Sequence, residues 1–143
     1  MEQRALVSPD LALSLRLDPY APRAARYHIA QVDRPSPDLR DAVVLLTSEL
    51  VTRAVQLCDS EEATIELRAW MPRDIVRVEL HAPAELLEAS AAGASERDYS
   101  LMLLDQLADR WSLEPSDGLA CMWFEIDRHG PGNGDSPAPN GSR

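Results

Sequence analysis

The residues best placed to do chemistry sit on one stretch, Asp38 to Leu57, which reads DLRDAVVLLTSELVTRAVQL. Glu49 and Arg53 are four residues apart, a spacing that puts a carboxylate and a guanidinium on one face of an α-helix. Thr47, Ser48 and Thr52 add hydroxyls around them. The simplest chemistry for such a pair is a solvent-exposed ion pair in its favourable order, worth about 0.3–0.5 kcal/mol. The other reactive side chains are scattered. His28, His81 and His129 fall on a helical segment, a strand end and the tail, without metal-ligand spacing. Cys58 and Cys121 form neither a CxxC pair nor part of a Cys-His set, and bland core roles are expected for both. No P-loop, Ser-His-Asp set or zinc signature is present.

Helical periodicity positions the pair. Leu39, Val43, Leu46, Leu50, Ala54 and Leu57 recur every three or four residues and predict one buried stripe beside the polar face. Ser36 before Pro37 reads as an N-cap followed by proline at the first helical position. Earlier in the chain, Leu11, Leu13, Leu15 and Leu17 alternate with Ala12, Ser14 and Arg16, the period-two pattern of a strand with one buried face. Asp18-Pro19 then caps a helix over Tyr20 to Val32, which Pro35 and Pro37 punctuate.

After an acidic loop at Asp59 to Glu62, two alternating runs follow: Ala63 to Ala69, and Val76 to Ala82, joined at Met71-Pro72-Arg73-Asp74. They predict an antiparallel hairpin with an apolar face on the helices and a charged face toward water. Trp70 and Met71 at the hairpin end read as core or as an exposed contact. Pro83 to Ser95 reads as a connection with one turn of helix. Leu101, Leu104, Leu107, Ala108 and Trp111 predict a third helix from Asp98 to Trp111. Leu113 and Glu114 lead to a turn at Pro115-Ser116-Asp117-Gly118 and a last strand, Leu119 to Ile126. The predicted order, β-α-α-β-β-loop-α-β-β, gives an α+β two-layer sandwich: a mixed, mostly antiparallel sheet with about three helices on one face. One domain over residues 11–127 is expected, with a short extension at 1–10 and a Gly/Pro-rich, disordered tail at 128–143.

The chain has 143 residues and a formal net charge of −10. Its basic residues are all Arg and form no cluster, which argues against a nucleic-acid surface. No apolar run approaches a membrane span, and the absence of a signal-like N-terminus predicts a reduced, cytoplasmic protein.

Three separated stretches carry a resemblance: LTSELVTRAV at 46–55, LLDQLADRW at 103–111 and MWFE at 122–125. Together with the element order they resemble the bacterial histidine-kinase-like ATPase domains of the GHKL superfamily, in particular the anti-sigma-factor serine kinases. The resemblance implies a Bergerat-like fold and an ATP site, whose residues can be compared position by position. Glu49 matches the family's general-base glutamate. Arg53 stands where an asparagine would hold Mg²⁺; a guanidinium has donors only and carries the charge the ion should bring. Ala82 stands where an aspartate would accept from the adenine amino group, and one such unmade bond costs about 1–3 kcal/mol. Asp98-Tyr99-Ser100 replace the Gly-x-Gly that lets backbone N–H groups approach phosphates, and of these only Ser100 is compatible with that role.

The reading that follows is a cytoplasmic bacterial regulator of transcription with a degenerate ATP/Mg site, acting through protein–protein binding. Glu49 is at most a vestigial general base, while Arg53, Ala82, Asp98 and Ser100 occupy vestigial nucleotide-site positions, and no metal or cofactor is expected. The resemblance implies a sigma factor, an anti-sigma antagonist or a second copy of the chain as partner, without nucleic acid or membrane. The alternative is an ATP-binding serine/threonine kinase with an altered nucleotide site, using Mg·ATP.

Overall fold

The structure, a computed structural model, describes residues 8–32, 37–58, 63–72, 74–87 and 99–128. The elements bounded within these residues follow in the order β1 (Leu11–Arg16), α1 (Ala21–Val32), α2 (Pro37–Leu57), β2 (Thr64–Trp70), β3 (Ile75–Pro83), α3 (Tyr99–Leu107), β4 (Arg110–Ser116) and β5 (Leu119–Asp127). The strands form one sheet in the order β1-β2-β3-β5-β4, and every pairing among them is antiparallel. The α+β two-layer architecture is as expected.

Strand alternation sorts the side chains into two faces. Ile65, Leu67 and Ala69 of β2, Val76, Val78, Leu80 and Ala82 of β3, and Ala120, Met122, Phe124 and Ile126 of β5 are buried in one core. The register sets Val78 opposite Phe124 and Leu80 opposite Met122. The helices cover this face with Ala21, Ala25 and Ile29 of α1, Val43, Leu46, Leu50 and Ala54 of α2, and Leu103 and Leu104 of α3. Each Val, Leu, Ile, Met or Phe among them contributes roughly 1.5–3 kcal/mol against the entropy of ordering the chain, and each Ala less.

Local signals account for several boundaries. The Asp18 carboxylate accepts from the Tyr20 N–H at 2.8 Å, the expected cap of α1. Between β4 and β5, Asp117 and Gly118 both have positive φ, 53° and 79°, as a two-residue I′ hairpin turn demands. Leu86 is fully buried in a helical stretch that follows β3, where Leu87 N–H donates to the Ala84 carbonyl at 2.9 Å.

Three expectations are corrected. The third helix stops at Leu107, and Trp111 lies in β4 opposite Phe124, where cross-strand pairing outweighs the helical spacing that had included it. Leu107, expected in the core, is 37% exposed. The long helix is buried on more than one stripe: Thr47, Ser48, Val51 and Arg53 are all buried, because α1 and α3 pack against α2 as well as the sheet. Trp70 is buried, in keeping with the core reading of that residue. Ser36, the acidic loop at 59–62, most of the connection before α3, and the tail beyond Arg128 lie outside the described residues. Asp10 and Arg128 are tied to the sheet: Asp10 N–H donates to the Ala69 carbonyl at 2.8 Å, and Arg128 N–H to the Asp74 carbonyl at 2.9 Å.

No helix among the described residues is long and apolar enough to cross a membrane.

Candidate functional site

Two places gather polar side chains, one on each face of the sheet. On the helix side, α2 and α3 bring Glu49 and Ser100 together across 51 positions of sequence. The Ser100 hydroxyl lies 3.2 Å from Glu49 Oε1 and 3.5 Å from the Glu49 backbone carbonyl. Arg53, one turn further along α2, is only 5% exposed, so the reading of an exposed Glu49–Arg53 ion pair does not hold. The helix that carries it packs against α1, α3 and the sheet. The long side chain can line apolar neighbours with its stem.

Ala82 occupies the core face of β3, opposite Ala120 of β5 and 1% exposed. Its methyl is core packing with no polar atom to offer a ligand. Ser48 turns its hydroxyl back to the Leu45 carbonyl at 3.1 Å, and Thr47 Oγ1 is buried without a hydrogen-bond partner among the described residues. Asp98 lies outside the described residues. Of the singled-out positions, the fold therefore brings Glu49 and Ser100 into contact, buries Arg53 nearby, and sets Ala82 among apolar neighbours.

The opposite face carries no helix among the described residues. Its side chains form rows across the sheet: Glu66, His81, Cys121 and Glu114 in one, Arg68, Glu79, Trp123 and Ser112 in the next, and Trp70, Arg77, Glu125 and Arg110 in the third. Over them lies a groove of about 590 Å³, lined in part by Arg68, Arg77, Glu79, His81, Cys121 and Trp123. Glu125 is buried between two arginines, with Arg77 Nη1 at 2.7 Å and Arg110 Nε at 2.8 Å. Arg110 reaches on to Asp127 at 2.5 Å, and Asp127 and then Glu125 push its guanidinium pKa further up. The Arg77 guanidinium stacks 4.3 Å above the Trp123 ring, a cation–π contact.

Beside this network, His81 Nε2 meets Glu79 Oε1 at 2.9 Å and Cys121 Sγ at 3.8 Å. The second Glu79 oxygen takes Arg77 at 2.8 Å. The sulfur of Cys121 and then the Glu79 carboxylate hold the His81 pKa up at about 9. For Glu79, burial acts to raise the pKa, but hydrogen bonds from His81 and Arg77 outweigh it and leave the carboxyl below its ordinary range. Glu79, His81 and Cys121 each offer one potential ligand atom, and these atoms all lie within 4.8 Å of one another.

Sequence reasoning missed this second cluster. The alternation of Glu79 and His81 on the charged face of a strand was visible, but Cys121 joins them only through the β3–β5 register, which no local pattern encodes. A scan against protein-family models gives no match, and a search of curated proteins gives none either.

Proposed function

We propose that this chain is a regulatory protein-binding module on a scaffold like that of the anti-sigma-factor serine kinases, acting by docking rather than by ATP hydrolysis. The observation that carries this reading is Ala82. At the position where such a scaffold would read adenine with a carboxylate, the chain has a methyl group packed against Ala120. Two neighbours support it. Arg53 is buried at the magnesium-ligand position and has no lone pair for a cation. Ser100, at the phosphate-loop position, has its hydroxyl on Glu49, the one matching catalytic position.

The partner class follows from the resemblance: a sigma factor, an anti-sigma antagonist or a second copy of this chain. The net charge of −10 disfavours nucleic acid. Exposed Tyr20, Tyr27, Tyr99 and Met102 are of the types enriched in protein interfaces.

The test is calorimetric titration of the purified chain against sigma factors and anti-sigma antagonists of the same cell, each with and without Mg·ATP. Binding whose Kd changes less than about twofold on adding nucleotide is expected. A complex that forms only with ATP, or phosphate appearing on a partner serine, would instead establish the kinase.

A further inference from the structure

We propose that Glu79, His81 and Cys121 form a binding site for a divalent transition ion of borderline softness, Zn²⁺ in the first instance, on the helix-free face of the sheet. This inference is independent of the function proposed above, which concerns the other face.

The geometry argues for ligation over a nucleophilic relay. In a Cys-His-carboxylate relay the carboxylate orients one imidazole nitrogen while the sulfur meets the other. Here both the Glu79 oxygen and the Cys121 sulfur approach the same atom, Nε2, at 2.9 and 3.8 Å. Three donor atoms of different residues grouped within 4.8 Å of one another are close enough to share one ion. With zinc–ligand bonds of about 2.0–2.3 Å, the edges of a tetrahedral site run to roughly 3.3–3.7 Å. The Glu79–His81 and His81–Cys121 separations, 2.9 and 3.8 Å, bracket that range, and the third edge is within 4.8 Å, so side-chain adjustments on the order of an ångström close the three donors on one ion.

The donor set selects the ion. One sulfur, one imidazole nitrogen and one carboxylate oxygen suit Zn²⁺ or Co²⁺, and they disfavour Mg²⁺ and Ca²⁺, which want oxygen shells. Binding releases protons to solvent: the imidazole coordinates neutral, the thiol as thiolate, and the two anionic ligands balance the ion's charge. The outer shell is in place as well. Arg77 holds the second Glu79 oxygen at 2.8 Å and is itself stacked on Trp123, which fixes the carboxylate with Oε1 toward His81. Three protein ligands leave a fourth position, and the groove above them opens it to water or a small ligand.

Co²⁺ is the probe, titrated into the reduced, untagged full chain. One ion per chain is expected, with the near-ultraviolet sulfur-to-cobalt charge-transfer band of a thiolate ligand, bleached when Zn²⁺ displaces cobalt. Cys121→Ser should abolish the band. His81→Asn should weaken binding more than the 10–100-fold typical of outer-shell changes, and Arg77→Met should fall within about that range. Cys58→Ser, remote in the core, should leave the titration unchanged, and circular dichroism establishes that each variant is folded. No charge-transfer band in the wild-type chain overturns the proposal. So does a band that survives in Cys121→Ser, or one lost in Cys58→Ser.

Discussion

The helix-covered and helix-free faces of the sheet bury side chains by opposite means. On the covered face, Val78, Leu80, Met122 and Phe124 interlock with α1, α2 and α3, and stability comes from apolar area removed from water. On the other, Arg77, Glu79, Glu125 and Arg110 are partly or wholly withdrawn from solvent, each balanced by an opposite charge. The contrast is instructive because Glu49, Arg53, Ala82 and Ser100, singled out by resemblance, lie on the covered side. There, Ala82 has joined the core and Arg53 is buried. The denser array of reactive groups is on the face with no such expectation.

That contrast can be broken first at Ala82. Placing a carboxylate there with Ala82→Asp puts a charge at a 1% exposed position among apolar neighbours. Urea denaturation should register a loss of about 3–5 kcal/mol, and little loss would mean that the site is open to water or polar partners. Glu125→Gln tests the other face. It leaves two guanidiniums with a neutral partner, and since Arg110 is 46% exposed while Arg77 retains Glu79, the cost should be about 1–3 kcal/mol. An unchanged denaturation midpoint would reduce this network to surface decoration.

Thr47→Val comes next and should act in the opposite sense. Its buried hydroxyl lacks a partner among the described residues, so replacing it by a methyl should stabilise by about 1 kcal/mol. A clear destabilisation would mean that the hydroxyl has a partner after all.

The smallest effect is expected from pH, because the groove admits water and screens its charges. The folded chain holds the His81 proton at a pKa of about 9 against 6.5 for the free side chain. The corresponding stabilisation is complete below pH 6.5 and is lost as pH rises through about 9. Glu79 runs the other way: its contribution is present above pH 4.5 and is lost as pH falls through its lowered folded value. Glu66, Glu79, Cys121 and Glu114 lie around His81 on the same face. In chelator-treated protein, His81→Asn should flatten the decline in stability between pH 7 and 10, and an identical decline in both proteins would assign it to other groups.

Much of the fold was legible because its signals are local. Period-two alternation marked β1, β2 and β3, Asp18-Pro19 marked the start of α1, and Asp117-Gly118 marked the last turn. Trp111 was misplaced because it continues the helical spacing of Leu104 and Leu107, while its pairing with Phe124 is decided by a strand thirteen residues on. Arg53 looked exposed because polar type was taken for solvent contact, whereas its burial is decided by the tertiary packing around α2. The Glu79–His81–Cys121 cluster depends on register between strands some forty residues apart, information that exists only once the sheet has closed.

The central proposal, that the covered face binds no nucleotide, is tested most directly by thermal unfolding of the full chain in millimolar Mg·ATP, against a control of equal ionic strength. A ligand present at about a hundred times its Kd adds about 2.7 kcal/mol of stability, several degrees for a domain of this size. The account predicts a shift of less than about 1 °C, corresponding to a few tenths of a kcal/mol. A saturable rise of several degrees with ATP or ADP would contradict it.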